Sequence, residues 1–165
     1  MSRTHKTSIG IEHLNSAMLL YTRGNAFHSA LHLAGAAEEI IGKVVDHILG
    51  TPKDSIKEGE AMRCDLAARQ EMEAIFNGRS VNIEDLRNRS VASKNYVKHY
   101  DRPDEKILLF NPKIEARNTL LRTISNLNML LDEPGDEIDR FEDRLRVEEF
   151  EEIEAELPAT LRLQG

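Results

Sequence analysis

The chain has one cysteine, no tryptophan and no long hydrophobic run, and each shortage removes a class of protein. Cys64 alone cannot form an intrachain disulfide, and one thiolate is too few for a cysteine-based zinc site. A reducing compartment fits that usage best. No stretch approaches the roughly 18 apolar residues of a membrane-spanning helix. The opening MSRTHKTSIG is polar and lacks the apolar core of a secretory signal. The expectation is a cytoplasmic protein without membrane association. Aromatic residues are also scarce, at 5%, so the core is expected to be built from Leu, Ile, Val, Ala and Met. The familiar nucleotide and hydrolase signatures are missing: there is no P-loop, no Gly-rich dinucleotide turn, no H-E-x-x-H and no nucleophile elbow.

What remains is globular. The chain is 165 residues long, 40% hydrophobic and 31% charged, which suits one domain able to bury roughly 70% of its unfolded surface. The net charge is −7, but it is unevenly spread. Six glutamates crowd the stretch from Glu148 to Glu156, whereas between Arg79 and Lys106 seven Lys and Arg oppose five Asp and Glu. The acidity belongs to the carboxyl-terminal arm, so it does not argue against an anionic ligand elsewhere.

Apolar residues recur at helical spacing almost throughout. Ile11, Leu14, Met18 and Tyr21 predict a first helix over about 8–23, ended by a Gly24-Asn25 turn. A second helix is expected from Asn25 to about Leu49, with Phe27, Leu31, Ala34, Ile41, Val44, Val45 and Ile48 on its apolar face and Gly50-Thr51-Pro52 as its stop. Its many small residues, Gly35 and Gly42 among them, suggest close approach by another helix and a place at the centre of a bundle. A third helix is expected from Ser55 to Phe76, and a fourth from an Asn82 cap through His99. Asn111-Pro112 is a helix start of the favoured kind, and Leu120, Leu121, Ile124, Leu127, Leu130 and Leu131 carry a fifth helix toward Glu133-Pro134-Gly135. A last helical segment holds Ile138, Phe141, Leu145 and Phe150 among many charges, with an end expected to be exposed or to depend on a partner. No strand pattern of convincing length appears. The fold class is therefore all-α, an antiparallel four- to five-helix bundle over residues 1–135. An acidic helical arm over 136–165 is expected to belong to that domain or to dock on it.

Few residues in such a bundle could carry chemistry. His28 and His32 share a helix face, but no helical E-x-x-H carboxylate accompanies them, so no metal site is assigned. Glu38 and Glu39 are adjacent acids in an apolar helix. Adjacent residues point about 100° apart, so at most one of them can face the core. A solvated face is the usual outcome, and a cleft-facing acid paired with Lys94 or Arg87 is the alternative. The segment Lys94–His99 concentrates two lysines, an amide and an imidazole within two helical turns. Asn95 and His99 project from one face, and on a helical wheel with Ile83, Leu86 and Val97, Lys94 falls near the middle of the apolar side. A lysine there must be paired, sit in a polar cleft or snorkel to an edge. Together these groups suit phosphodiester chemistry: a histidine can move the proton of a ribose 2′-hydroxyl while lysines stabilise charge on phosphorus. They equally suit simple retention of a nucleotide phosphate, or a solvated basic helix face.

In three places, in order, the chain resembles the HEPN superfamily of helical nucleotide-binding domains. The run Ala30–Lys43 looks like the long Ala-rich helix of its bacterial members. Lys94-Asn95-x-x-Lys98-His99 looks like the family's signature of an arginine, a polar residue, three further positions and a histidine, commonly R-N-x-x-K-H. Arg122–Leu127 resembles the core helix that follows. Together the three lie within residues 9–132, and only the second is chemically diagnostic. The resemblance implies a helical bundle that is frequently a homodimer and needs no cofactor. In active members it implies a metal-independent endoribonuclease site built from both subunits. It makes His99 the acid/base, Asn95 the orienting group and Lys98 a flanking phosphate contact, while Lys94 stands at the arginine position, with Arg87 as a further cation for ligand binding. Lysine keeps the charge there but loses the planar bidentate fork. The expected function is therefore binding of nucleotide or RNA by a non-catalytic or weakened member. The alternatives are a dimeric ribonuclease of a toxin–antitoxin or phage-defence system, and a helical protein-interaction module that engages a protein partner through its acidic arm.

Overall fold

The structure is a computed structural model and describes residues 5–49, 70, 82, 84–86, 88, 92, 111–131 and 135–156. The fold is all-α, and no strand occurs among the described residues. Two compact units divide the chain, residues 1–132 and 133–165.

In the first unit, α1 spans Lys6–Thr22 and α2 spans Phe27–Leu49. Their connection is short because Gly24 takes a left-handed φ of 72° directly after the last turn, where a β-carbon would be strained. The Gly24 N–H donates to the Tyr21 carbonyl at 3.0 Å, and the Ala30 N–H donates to Ala26 at 2.9 Å as α2 begins. This makes an antiparallel helical hairpin. At one end the Tyr21 and Phe27 rings meet edge to face at 5.4 Å. At the other, Gly10 lies against Ile40 and Ile41, and a β-carbon on Gly10 would come within 2.9 Å of Ile41 Cγ1. The absent side chain of Gly10 is what lets the two axes approach there.

Helix α3 spans Pro112–Asn128 and starts as its sequence predicts. The Asn111 side chain accepts from the N–H groups of Lys113, at 3.0 Å, and Ile114, at 3.4 Å, while Pro112 occupies the first turn, where no intrahelical donor is needed. α3 packs against both α2 and α1. Leu120, Ile124 and Leu127 from α3, Leu31, Ile41 and Val45 from α2, and Leu14 from α1 are all at most 1% exposed.

Three expectations change in detail. Ile48, read as core, is exposed in the last turn of α2, Leu131 is exposed beyond the end of α3, and Ile11 is only half-buried. α2 lies between α1 and α3, with Gly35 and Gly42 buried, yet the helix buried around its whole circumference is α3. Residues 116–124 of α3 are buried without a break, polar ones included.

The second unit contains α4, Asp136–Glu156. Gly135, at φ 107°, precedes it, and its carbonyl accepts from Ile138 and Asp139. Phe141 and Leu145, one turn apart, are buried, whereas Val147 and Phe150 are exposed. Arg144–Glu148 and Arg146–Glu142 are paired at 3.1 and 3.0 Å along its surface. These i, i+4 pairs relieve some of the repulsion within a strongly acidic helix.

Of the predicted third and fourth helices, only single residues are described. Gln70 is helical, as are residues 84–86, 88 and 92. Asn82 caps as expected: its side chain accepts from the Glu84 N–H at 2.9 Å, and its carbonyl accepts from Asp85 and Leu86.

Candidate functional site

The residues that carry the sequence motif, Arg87, Lys94, Asn95, Lys98 and His99, lie outside the described residues. The described residues contain two other concentrations of polar groups, one inside the first unit and one on its surface.

The buried one grows from the paired acids on α2. Glu38 turns inward and is 7% exposed, while Glu39 turns out and is 52% exposed. The solvated face therefore holds for Glu39 and fails for Glu38, as the angular offset between neighbours requires. The Glu38 carboxylate accepts a charge-assisted hydrogen bond from Arg122 Nε at 2.8 Å, a partner 84 residues away that the sequence reading did not pair with it. Arg122 also donates from Nη2 to the Thr119 hydroxyl at 3.1 Å, and that hydroxyl donates to the Glu115 carbonyl at 2.8 Å. One turn away, the Thr123 hydroxyl lies 2.7 Å from the Thr119 carbonyl and 3.3 Å from the Ala34 carbonyl, its single proton serving the nearer oxygen.

Ala34 thus faces Thr123 and Glu38 reaches Arg122, so α2 and α3 are locked side by side at this level. A charged pair this deep has almost no freedom to slide, because a slip of one turn would bury both charges apart. The polar residues of α3 that look solvent-facing in sequence are inside for this reason. Arg117, Asn118, Thr119, Arg122, Thr123 and Asn126 are all no more than 9% exposed.

The surface concentration lies where the start of α1 crosses the end of α2. A groove of about 560 Å³ opens there, floored by Ile9, Ile40 and Val44. Its polar rim is Lys6, Glu39, Lys43 and His47, and Lys43 Nζ holds Glu39 at 2.6 Å in a pair whose side chains are 68% and 52% exposed. Gly10 sits beside this floor, so the same close approach that seals the core at Ile41 shapes the groove. Sequence reasoning read Glu39 as a solvated acid and Val44 as part of the apolar face, and did not join them into a site. Glu39, Lys43 and His47 form an i, i+4 stripe next to Ile40 and Val44, which in isolation reads as an ordinary solvated helix edge.

His28 and His32 are both exposed on α2. Among the described residues, no three or more His, Cys, Asp or Glu are grouped so as to hold a metal ion, and no helix is long and apolar enough to cross a membrane. The chain matches no family model, no curated protein and no solved structure.

Proposed function

We propose that the protein is a HEPN-like helical protein that binds nucleotide or RNA through the segment Lys94–His99, as a non-catalytic or weakened member. The observation that supports this reading is the interlock of two of the three resembling segments. Ala34 and Glu38, within Ala30–Lys43, meet Thr123 and Arg122, at the start of Arg122–Leu127. A chance likeness in two separate stretches would not require them to share a buried register. The third segment follows in sequence the helical start that Asn82 caps and lies outside the described residues.

In this reading His99 and Asn95 face the sugar and phosphate of the ligand, and Lys94 and Lys98 neutralise its charge, with Arg87 as a further cation. Lys94 presents a point charge where an arginine would grip two phosphate oxygens at once. Retention of the ligand then outlasts transition-state stabilisation, because only the latter demands fixed geometry. The setting is cytoplasmic and the assembly a homodimer.

The test is calorimetric titration with ATP and with short single-stranded RNA, alongside cleavage assays in EDTA. Binding that Lys94→Glu abolishes, without turnover, supports the reading. Metal-independent cleavage that His99→Ala removes would instead make the protein an endoribonuclease. Absence of both binding and cleavage would leave the protein-interaction reading, to which the exposed Val147 and Phe150 of the acidic α4 lend weight.

A further inference from the structure

The groove between the start of α1 and the end of α2 is separate from the Lys94–His99 segment, and its chemistry asks for a different ligand. We propose that it is a binding site for a small amphipathic anion, an aliphatic body carrying a single carboxylate-type head. Its volume, about 560 Å³, is within the range of sites that hold small organic molecules. The described residues of the floor are aliphatic, and Ile9 is 36% exposed in a place where an apolar chain would cover it. Among the described lining residues, His47 on the rim is the one ring, the floor offers none to stack a base, and no amide or hydroxyl side chain is present to read one, which disfavours a nucleobase. An alkyl chain needs neither.

The rim decides the sign of the head group. Among the described lining residues, Lys6 and Lys43 oppose one acid, Glu39, and His47 adds a further donor in the last turn of α2. A cationic amphiphile would meet two ammonium groups. An anionic one meets them as counter-ions, and its head competes with Glu39 for Lys43. The Glu39–Lys43 pair is exposed on both sides, so its own hold is weak and exchange of one carboxylate for another is easy. One carboxylate and one imidazole among the described lining residues are also too few ligands for a metal ion.

Decanoate and decyltrimethylammonium, titrated separately into the full-length protein and read by calorimetry and backbone amide shifts, test this directly. Decanoate should bind, with shifts clustered on residues 6–10 and 39–47, while decyltrimethylammonium should bind at least about tenfold more weakly. Glu39→Gln removes the competing carboxylate, so decanoate should bind the variant more tightly than the parent. Lys43→Glu should weaken decanoate by about tenfold, and Ile9→Asp should abolish it. Each substituted side chain is at least 36% exposed, and thermal melting of each variant checks that the fold is kept.

Equal binding of the two amphiphiles, shifts scattered over the surface, or weaker decanoate binding by Glu39→Gln would overturn the proposal. So would an Ile9→Asp variant whose oligomeric state changes in place of its affinity, because the groove would then be an interface with a second copy. These outcomes are independent of whether the protein binds nucleotide.

Discussion

The Glu38–Arg122 pair makes the most demanding prediction. Arg122→Met keeps much of the side-chain volume and removes the guanidinium that lies 2.8 Å from the Glu38 carboxylate. Both side chains are nearly dry, at 4% and 7% exposure, so solvent screens the interaction little. Taking one charge from a buried pair costs about 3–5 kcal/mol, a large share of the roughly 5–15 kcal/mol that stabilises a domain. For a chain of this size that corresponds to a fall in Tm of about 6–20 °C. The reverse substitution, Glu38→Leu, should cost a similar amount. The double variant Glu38→Leu/Arg122→Met should recover most of the loss, because apolar residues of similar volume often replace a buried pair at little cost. Urea unfolding followed by far-UV circular dichroism, run as a double-mutant cycle, should give a coupling energy above about 2 kcal/mol. Single costs below about 1 kcal/mol, or additive effects of the two substitutions, would refute the reasoning. The neighbouring acid is the internal control: Glu39→Gln, which disturbs an exposed pair, should change stability by less than about 0.5 kcal/mol.

Three further outcomes follow from the same geometry. Gly10→Ala places a methyl 2.9 Å from Ile41 Cγ1, on a side chain with no exposure and no room to yield, so overpacking should outweigh the gain in helix propensity. A net loss of about 1 kcal/mol in urea unfolding is expected, and a stabilised variant would show that α1 and α2 are not so close. Asn111→Ala removes the acceptor for two N–H groups at the start of α3 and should cost about 1 kcal/mol, with Asn111→Asp or Asn111→Ser retaining most of it in thermal melts. Replacing Arg144 and Arg146 together by Ala breaks two pairs whose arginines are about half exposed, and should lower stability by no more than about 1 kcal/mol. A larger loss would mean that these arginines hold α4 by more than local pairing.

The helices themselves were legible because their causes are local. The periodicity of Leu14, Met18 and Tyr21, the Gly24 turn, the Asn82 cap and the Asn111-Pro112 start each depend on residues within a turn or two, and each is found as read. Element type and the aliphatic core at Leu31, Ile41, Val45, Leu120, Ile124 and Leu127 follow from the same short-range pattern. The ends were less secure. Ile48 and Leu131 have the right spacing, but Ile48 is exposed in the last turn of α2 and Leu131 lies past the end of α3.

Tertiary structure alone decided which polar residues are inside. Spacing shows that Glu38 and Glu39 cannot share a direction, but it does not say which of them meets a cation. That depended on Arg122, which approaches only because α3 packs against α2. The same packing buries Thr119, Thr123 and Asn126, which any local scale of polarity would leave in water. It also turns an unremarked edge of α2 into a groove, because Gly10 lets α1 come close enough to wall it. Helix formation is a property of neighbours in sequence; a buried ion pair or a groove is a property of neighbours in space, and no single segment of the chain contains either.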